Sequence, residues 1–131
     1  MDLSTLKVDD DAVDLTLKNP VTGEKLDIVL NVIGTDNPKF KMADRAITKK
    51  NLKKNSKGGR VNLGGLDLEE TEEDAIKLAA TCIQGWKNVV IDDKKVNYSS
   101  AAAVDLLKEY PWIRDQVEEF VSDRVNFIKA S

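Results

Sequence analysis

Residues 12–33 read AVDLTLKNPVTGEKLDIVLNVI, and the phase of their apolar side chains decides the fold class. Val13, Leu15 and Leu17 alternate with Asp14, Thr16 and Lys18. A period of two is that of a strand with one buried face, because successive side chains of a strand point to opposite sides. Ile28, Leu30 and Val32 repeat the phase in Lys25–Ile33. Asn19-Pro20-Val21-Thr22-Gly23 between the two runs is turn chemistry. The stretch predicts an antiparallel hairpin.

Helical spacing takes over downstream. Gly34-Thr35-Asp36-Asn37-Pro38 ends the hairpin, with Asn37 placed to cap a helix and Pro38 at its first position. That helix is expected to run to about Asn55, with Phe40, Ala43 and Ile47 on one side and lysine or arginine over most of the rest. Ser56-Lys57-Gly58-Gly59 breaks it, and residues 56–66 are expected to be a flexible loop. A second helix is expected over Glu69–Gln84, with acids in its first turns, where the helix dipole favours them. Ile76, Ala79, Ala80 and Ile83 form its buried side, and Gly85 is its expected C-cap. Lys87–Tyr98 predicts a small hairpin turning at Asp92-Asp93-Lys94-Lys95. Ser99 or Ser100 can cap a third helix ending at Tyr110. Pro111 opens a fourth, in which Ile113, Val117, Phe120, Val121 and Ile128 share one face. The class is α+β: two hairpins packed with about four helices as one domain over residues 1–131, with residues 1–11 loosely held.

Composition narrows the chemistry. The 131 residues include no histidine and one cysteine, Cys82. This removes the imidazole base of the familiar triads, and it removes the nitrogen and sulfur ligands of nearly every zinc site. Cys82 lies among Leu78, Ala79, Ala80 and Ile83, which predicts a buried, inert thiol and a reducing compartment. Asp9-Asp10-Asp11 lacks the alternate spacing and glycine of a calcium loop. Gly59 and Gly64 have the glycine spacing of a phosphate-binding loop, but Gly65 and Leu66 stand where that loop needs lysine and a hydroxyl. Neighbouring acids such as Glu118-Glu119 point about 100° apart on a helix and form no facing pair. No catalytic, cofactor or metal site is expected. There is no bilayer-length apolar run and no signal-peptide pattern, so no membrane association is expected.

Charge is unevenly distributed. From Lys39 to Arg60 nine basic residues face one acid, Asp44, a local charge of +8 in a chain of net charge −3, which leaves −11 for the remainder. Asp67, Glu69, Glu70, Glu72, Glu73 and Asp74 follow directly. Phosphate binding by the basic helix is a possible use of this polarity. Seven of the nine cations are lysine, however, and Phe40 is the one aromatic among them, a poor set for base readout or stacking. A solvated or partner-binding helix is the favoured reading, and the same polarity predicts self-association. Lys49, Lys50, Lys53 and Lys54 of one copy would meet Glu69, Glu70 and Glu73 of another.

The last third supplies a resemblance. Gly85-Trp86-Lys87, Val96-Asn97-Tyr98-Ser99, Ala103, Leu106-Leu107 and Tyr110-Pro111-Trp112-Ile113 occur in succession. Gln116-Val117, Phe120 and Asp123-Arg124-Val125-Asn126-Phe127 follow. From Gln84 to Phe127 the chain resembles the tail assembly chaperones of lambda-like, non-contractile-tailed bacteriophages, and the first hairpin and following helix resemble them more loosely. The resemblance implies a small α+β protein that binds the tape measure protein and keeps it soluble while the tail tube polymerises around it. It also implies a longer frameshifted form that recruits the tail tube protein, action in the cytoplasm of the infected bacterial host, and absence from the mature virion. Trp86, Tyr110, Trp112, Phe120 and Phe127 are the candidate partner-binding residues. Two other readings stand beside this one: a nucleic-acid-binding regulator using residues 39–60, and a structural tail component.

Overall fold

The computed structural model describes residues 3–8, 10–56 and 68–128, without the side chains of residues 4, 5, 51–56 and 68–71. Its strands are β1 (Val13–Lys18), β2 (Lys25–Val32), β3 (Ile83–Lys87), β4 (Val90–Ile91) and β5 (Lys94–Lys95). Its helices are α1 (Pro38–Ser56), α2 (Leu68–Cys82), α3 (Ser100–Glu109) and α4 (Pro111–Ser122). Leu3–Leu6 and Arg124–Phe127 form single 3-10 turns. The α+β class with two hairpins and four helices is the architecture observed. From residue 57 onward the loop expected at 56–66 lies outside the described residues, as does the glycine pair at 59 and 64.

The first hairpin forms as its alternation predicts. Leu15 pairs directly with Leu30, and both are buried. Such cross-strand apolar pairs stabilise a sheet and fix its register. Asn19 organises the turn. Its side-chain oxygen accepts from the Val21 and Thr22 amides at 2.8 and 3.3 Å, and its carbonyl accepts from Gly23 at 2.8 Å. Gly23 closes the turn at φ 76°, a left-handed conformation that favours glycine.

The sheet has a third strand that the sequence reading places elsewhere. β3 pairs antiparallel with β2, Leu30 opposite Trp86 and Val29 opposite Lys87, giving the order β1-β2-β3. Gly85 therefore lies inside a strand and does not cap α2, which ends at Cys82. Ile83 continues the helical spacing of Ile76, Ala79 and Ala80, so local periodicity extends the helix. The open edge of β2, a nonlocal partner, ends it.

Core side chains come from every layer. Leu17, Leu30, Val32, Cys82, Ile83, Leu107 and Val117 are almost wholly buried. α3 contributes Ala103, Leu106 and Leu107. α4 contributes Ile113, Val117 and Val121, four residues apart on one stripe. Ile128, expected on that stripe, lies beyond the helix and instead bridges to Val8, tying the two ends of the described chain together. The caps form as expected: the Asn37 side chain accepts from the Lys39 amide at 2.9 Å, and Ser99 Oγ accepts from Ala102 at 3.0 Å. Tyr110 sits between α3 and α4 at φ −128°, ψ 77°, because the following Pro111 disfavours helical geometry at the residue before it.

Cys82 is fully buried, and burial pushes its thiol up to about 12. The thiolate is the reactive form. Cys82 is therefore expected to stay unmodified by a thiol reagent at pH 8 in the native protein and to react promptly in denaturant. Equal rates in the two states would contradict the burial.

Candidate functional site

An apolar recess lies where the small hairpin meets the corner between α3 and α4. Ile28 of β2, Val89, Val90 and Ile91 of the hairpin, Leu106 and Tyr110 from the α3 side, and Trp112 and Ile113 of α4 line about 120 Å³. Every lining residue is apolar or aromatic. Val90, at the mouth, is 57% exposed. The Tyr110 and Trp112 rings meet edge to face, with centroids 6.4 Å apart, and Pro111 between them fixes the corner. Apolar concavities of this kind are what proteins offer to an apolar side chain of a ligand or partner.

A set of hydrogen bonds holds the hairpin in place. Asp92 and Asp93 turn it with φ of 53° and 64°, the two left-handed residues of a tight hairpin turn. The Val96 amide donates to the Val89 carbonyl at 2.8 Å, and Asn88 Nδ2 donates to the Asp27 carbonyl at 2.8 Å. Trp86 Nε1 donates to the Val96 carbonyl at 2.9 Å, and its ring meets Tyr98 edge to face at 5.2 Å. Tyr98 Oη in turn donates to the Ile83 carbonyl at 2.7 Å. Trp86 is thus a half-buried strut between β3 and the hairpin, and lies outside the recess lining.

The remaining expected partner-binding residues lie elsewhere. Phe120 and Phe127 meet edge to face at 5.7 Å, and Phe127 is buried. Its ring covers Gly34 so closely that a Cβ there would come within 2.9 Å of it. Phe120 lines a second recess of about 300 Å³ with Leu15, Lys18, Gln116, Glu119 and Asp123, most of whose lining residues are polar. There Gln116 closes the outer edge of β1: it accepts from the Lys18 amide at 2.9 Å and donates to the Lys18 carbonyl at 2.8 Å. Of the five aromatics, the structure brings only Tyr110 and Trp112 to the apolar recess. The sequence reading omitted Ile28, Val90 and Ile91 from the site. The signal for the last two was the run Val89-Val90-Ile91 in a two-stranded hairpin, which cannot bury both of its faces.

The residues expected to carry self-association are partly engaged within the chain. α1 packs against α2, and Lys50 Nζ lies 3.9 Å from the carboxylate of Asp74, which is largely buried. Arg114 pairs with Glu118 at 3.5 Å and with Glu72 at 3.6 Å, linking α4 to α2. Lys49 and Glu73 are exposed, whereas the side chains of Lys53, Lys54, Glu69 and Glu70 lie outside the described residues. At the start of α1, Arg124 donates to Asp36 at 2.7 Å and so holds that carboxyl below its usual range against the opposing effect of burial. Among the described residues there is no group of three or more potential metal-ligating side chains, and no helix is long and apolar enough to cross a membrane.

Comparison with protein families finds a match over residues 35–131, about three quarters of the chain, to the YdaY prophage protein family. The matched span includes all four helices and the apolar recess apart from Ile28. No curated protein and no solved structure matches.

Proposed function

The chain belongs to the YdaY prophage protein family, and from that premise we propose that it is a non-enzymatic tail assembly chaperone that binds the tape measure protein. The observation that carries this reading is the apolar recess walled by Tyr110 and Trp112. Apart from Ile28 it is built from the part of the chain that resembles tail assembly chaperones, and it opens at Val90 on a protein one third of whose residues are charged. A chaperone needs that combination: an apolar docking point for a client and enough surface charge to keep the complex in solution. On this reading the protein acts in the host cytoplasm, meets the tail tube protein through a longer frameshifted form, and leaves before the virion is complete.

The test is co-expression with the tape measure protein of the same genome, followed by affinity capture from the soluble fraction. A client that becomes soluble and elutes with this protein is the expected result. A client that stays insoluble, with this form and with the longer one, overturns the reading. A second reading, a nucleic-acid-binding regulator, is favoured by the exposed basic residues of α1, and a mobility shift with random duplex DNA separates it. Detection of the chain in purified virions would instead favour a structural tail component.

A further inference from the structure

Two exposed stripes of opposite charge have the same helical spacing. On α1, Lys41, Arg45 and Lys49 recur every fourth residue, all exposed, on the side away from Phe40, Ala43 and Ile47. On α4 and its C-cap, Asp115, Glu119 and Asp123 recur in the same way, opposite the buried Ile113, Val117 and Val121. Eight residues of helix rise about 12 Å, so the two stripes match in length as well as in sign. Arg45, Lys49, Asp115 and Glu119 take part in no ion pair among the described residues. α1 packs on α2, whereas α4 packs on α3, α2 and β1.

We propose that the α1 stripe Lys41-Arg45-Lys49 of one copy docks on the α4 stripe Asp115-Glu119-Asp123 of a second copy of this chain. This pairing differs from one between α1 and the acids of α2, of which Asp74 and Glu72 are engaged by Lys50 and Arg114 of their own chain and Glu73 is exposed. A second copy suits the basic stripe better than a polyanion does. The chain outside residues 39–60 carries −11, which repels nucleic acid while offering carboxylates to a neighbour. Asp44, the one acid of α1, flanks the basic stripe, and Lys18 shares the recess beside Glu119 and Asp123. Both charges narrow the complementary strips and favour one register. Assembly of this kind does not depend on client binding, so it stands or falls separately from the chaperone reading.

Sedimentation of the unmodified chain gives the first test. Its self-association should weaken at least tenfold between about 50 mM and 0.5 M salt, as the screening length falls from above 10 Å to a few ångströms. Two variants give the second: Lys41→Glu/Arg45→Glu/Lys49→Glu, and Asp115→Lys/Glu119→Lys, which leaves the capping Asp123 in place. Each alone should be monomeric, since its two stripes then carry the same sign. An equimolar mixture should recover association at least tenfold, because each variant's altered stripe meets its opposite on the other. A chain that is monomeric at low salt, an oligomer indifferent to salt, or a mixture that stays monomeric would overturn the proposal. So would a monomeric wild type whose α1 stripe shifts random duplex DNA.

Discussion

Replacing Phe127 by alanine is expected to lower the unfolding free energy by about 3–5 kcal/mol, the cost of emptying a buried aromatic site. Domains are stable by only about 5–15 kcal/mol, so this single change removes a large share. Phe127 is 3% exposed, stands edge-on to Phe120 and lies against Gly34. Its 3-10 turn leads directly into the Ile128–Val8 bridge, so the loss also loosens the contact between the two ends of the described chain. Urea unfolding monitored by circular dichroism measures the effect. A loss below about 1 kcal/mol would show that the Phe127 site is not core and would return this residue to the candidates for partner contact.

Core residues such as Phe127 and half-buried recess residues such as Trp112 look alike in sequence, because both are aromatics at helical spacing. The parts of the fold that could be read from the sequence rest on short-range rules. The β1–β2 hairpin follows from a period of two around Asn19-Pro20. The start of α1 follows from Asn37 and Pro38, and the break at Tyr110 from Pro111. β3 could not be read in that way. Ile83 fits the apolar stripe of α2, and only the unpaired edge of β2, some fifty residues away in the chain, makes a strand the better outcome. Ile128 misled for the same reason: eleven residues beyond Val117 it returns to the helix phase, yet Asp123 has already ended the helix, at φ −94°, ψ 105°.

The recess was half visible. Tyr110 and Trp112 drew attention as aromatics flanking a proline, but Ile28, Val90 and Ile91 come from other elements, and no spacing rule links them. Charge was easier to find than its use. The +8 segment is plain in the sequence, yet which lysines are engaged and which are free depends on α1 packing against α2. Lys50 faces Asp74, whereas Lys49, one residue earlier and about 100° around the helix, is exposed and has no ion pair among the described residues.

Val90→Glu is expected to abolish client capture while leaving the protein folded. At 57% exposure Val90 gives up little buried surface when replaced, and strand β4 accommodates a polar residue at an exposed position. Stability should therefore shift by no more than about 0.5 kcal/mol, the usual range for surface substitutions. At the mouth of the recess the new carboxylate stands beside Ile28, Ile91, Leu106 and Ile113 and directly across the hairpin from the exposed Lys95, which holds it charged at the surface. An entering apolar side chain would have to strip water from that charge and its Lys95 partner, and taking an ion pair out of water costs more than its attraction returns unless the geometry is excellent. Recovery of soluble tape measure protein should fall at least tenfold relative to the wild type at equal expression. Val90→Leu, which keeps the mouth apolar, should retain capture. The contrast between the two substitutions separates docking from folding, since both leave the hairpin bonds of Trp86, Asn88 and Val96 untouched. Undiminished capture by Val90→Glu would place the client elsewhere on the surface and remove the recess from the chaperone reading.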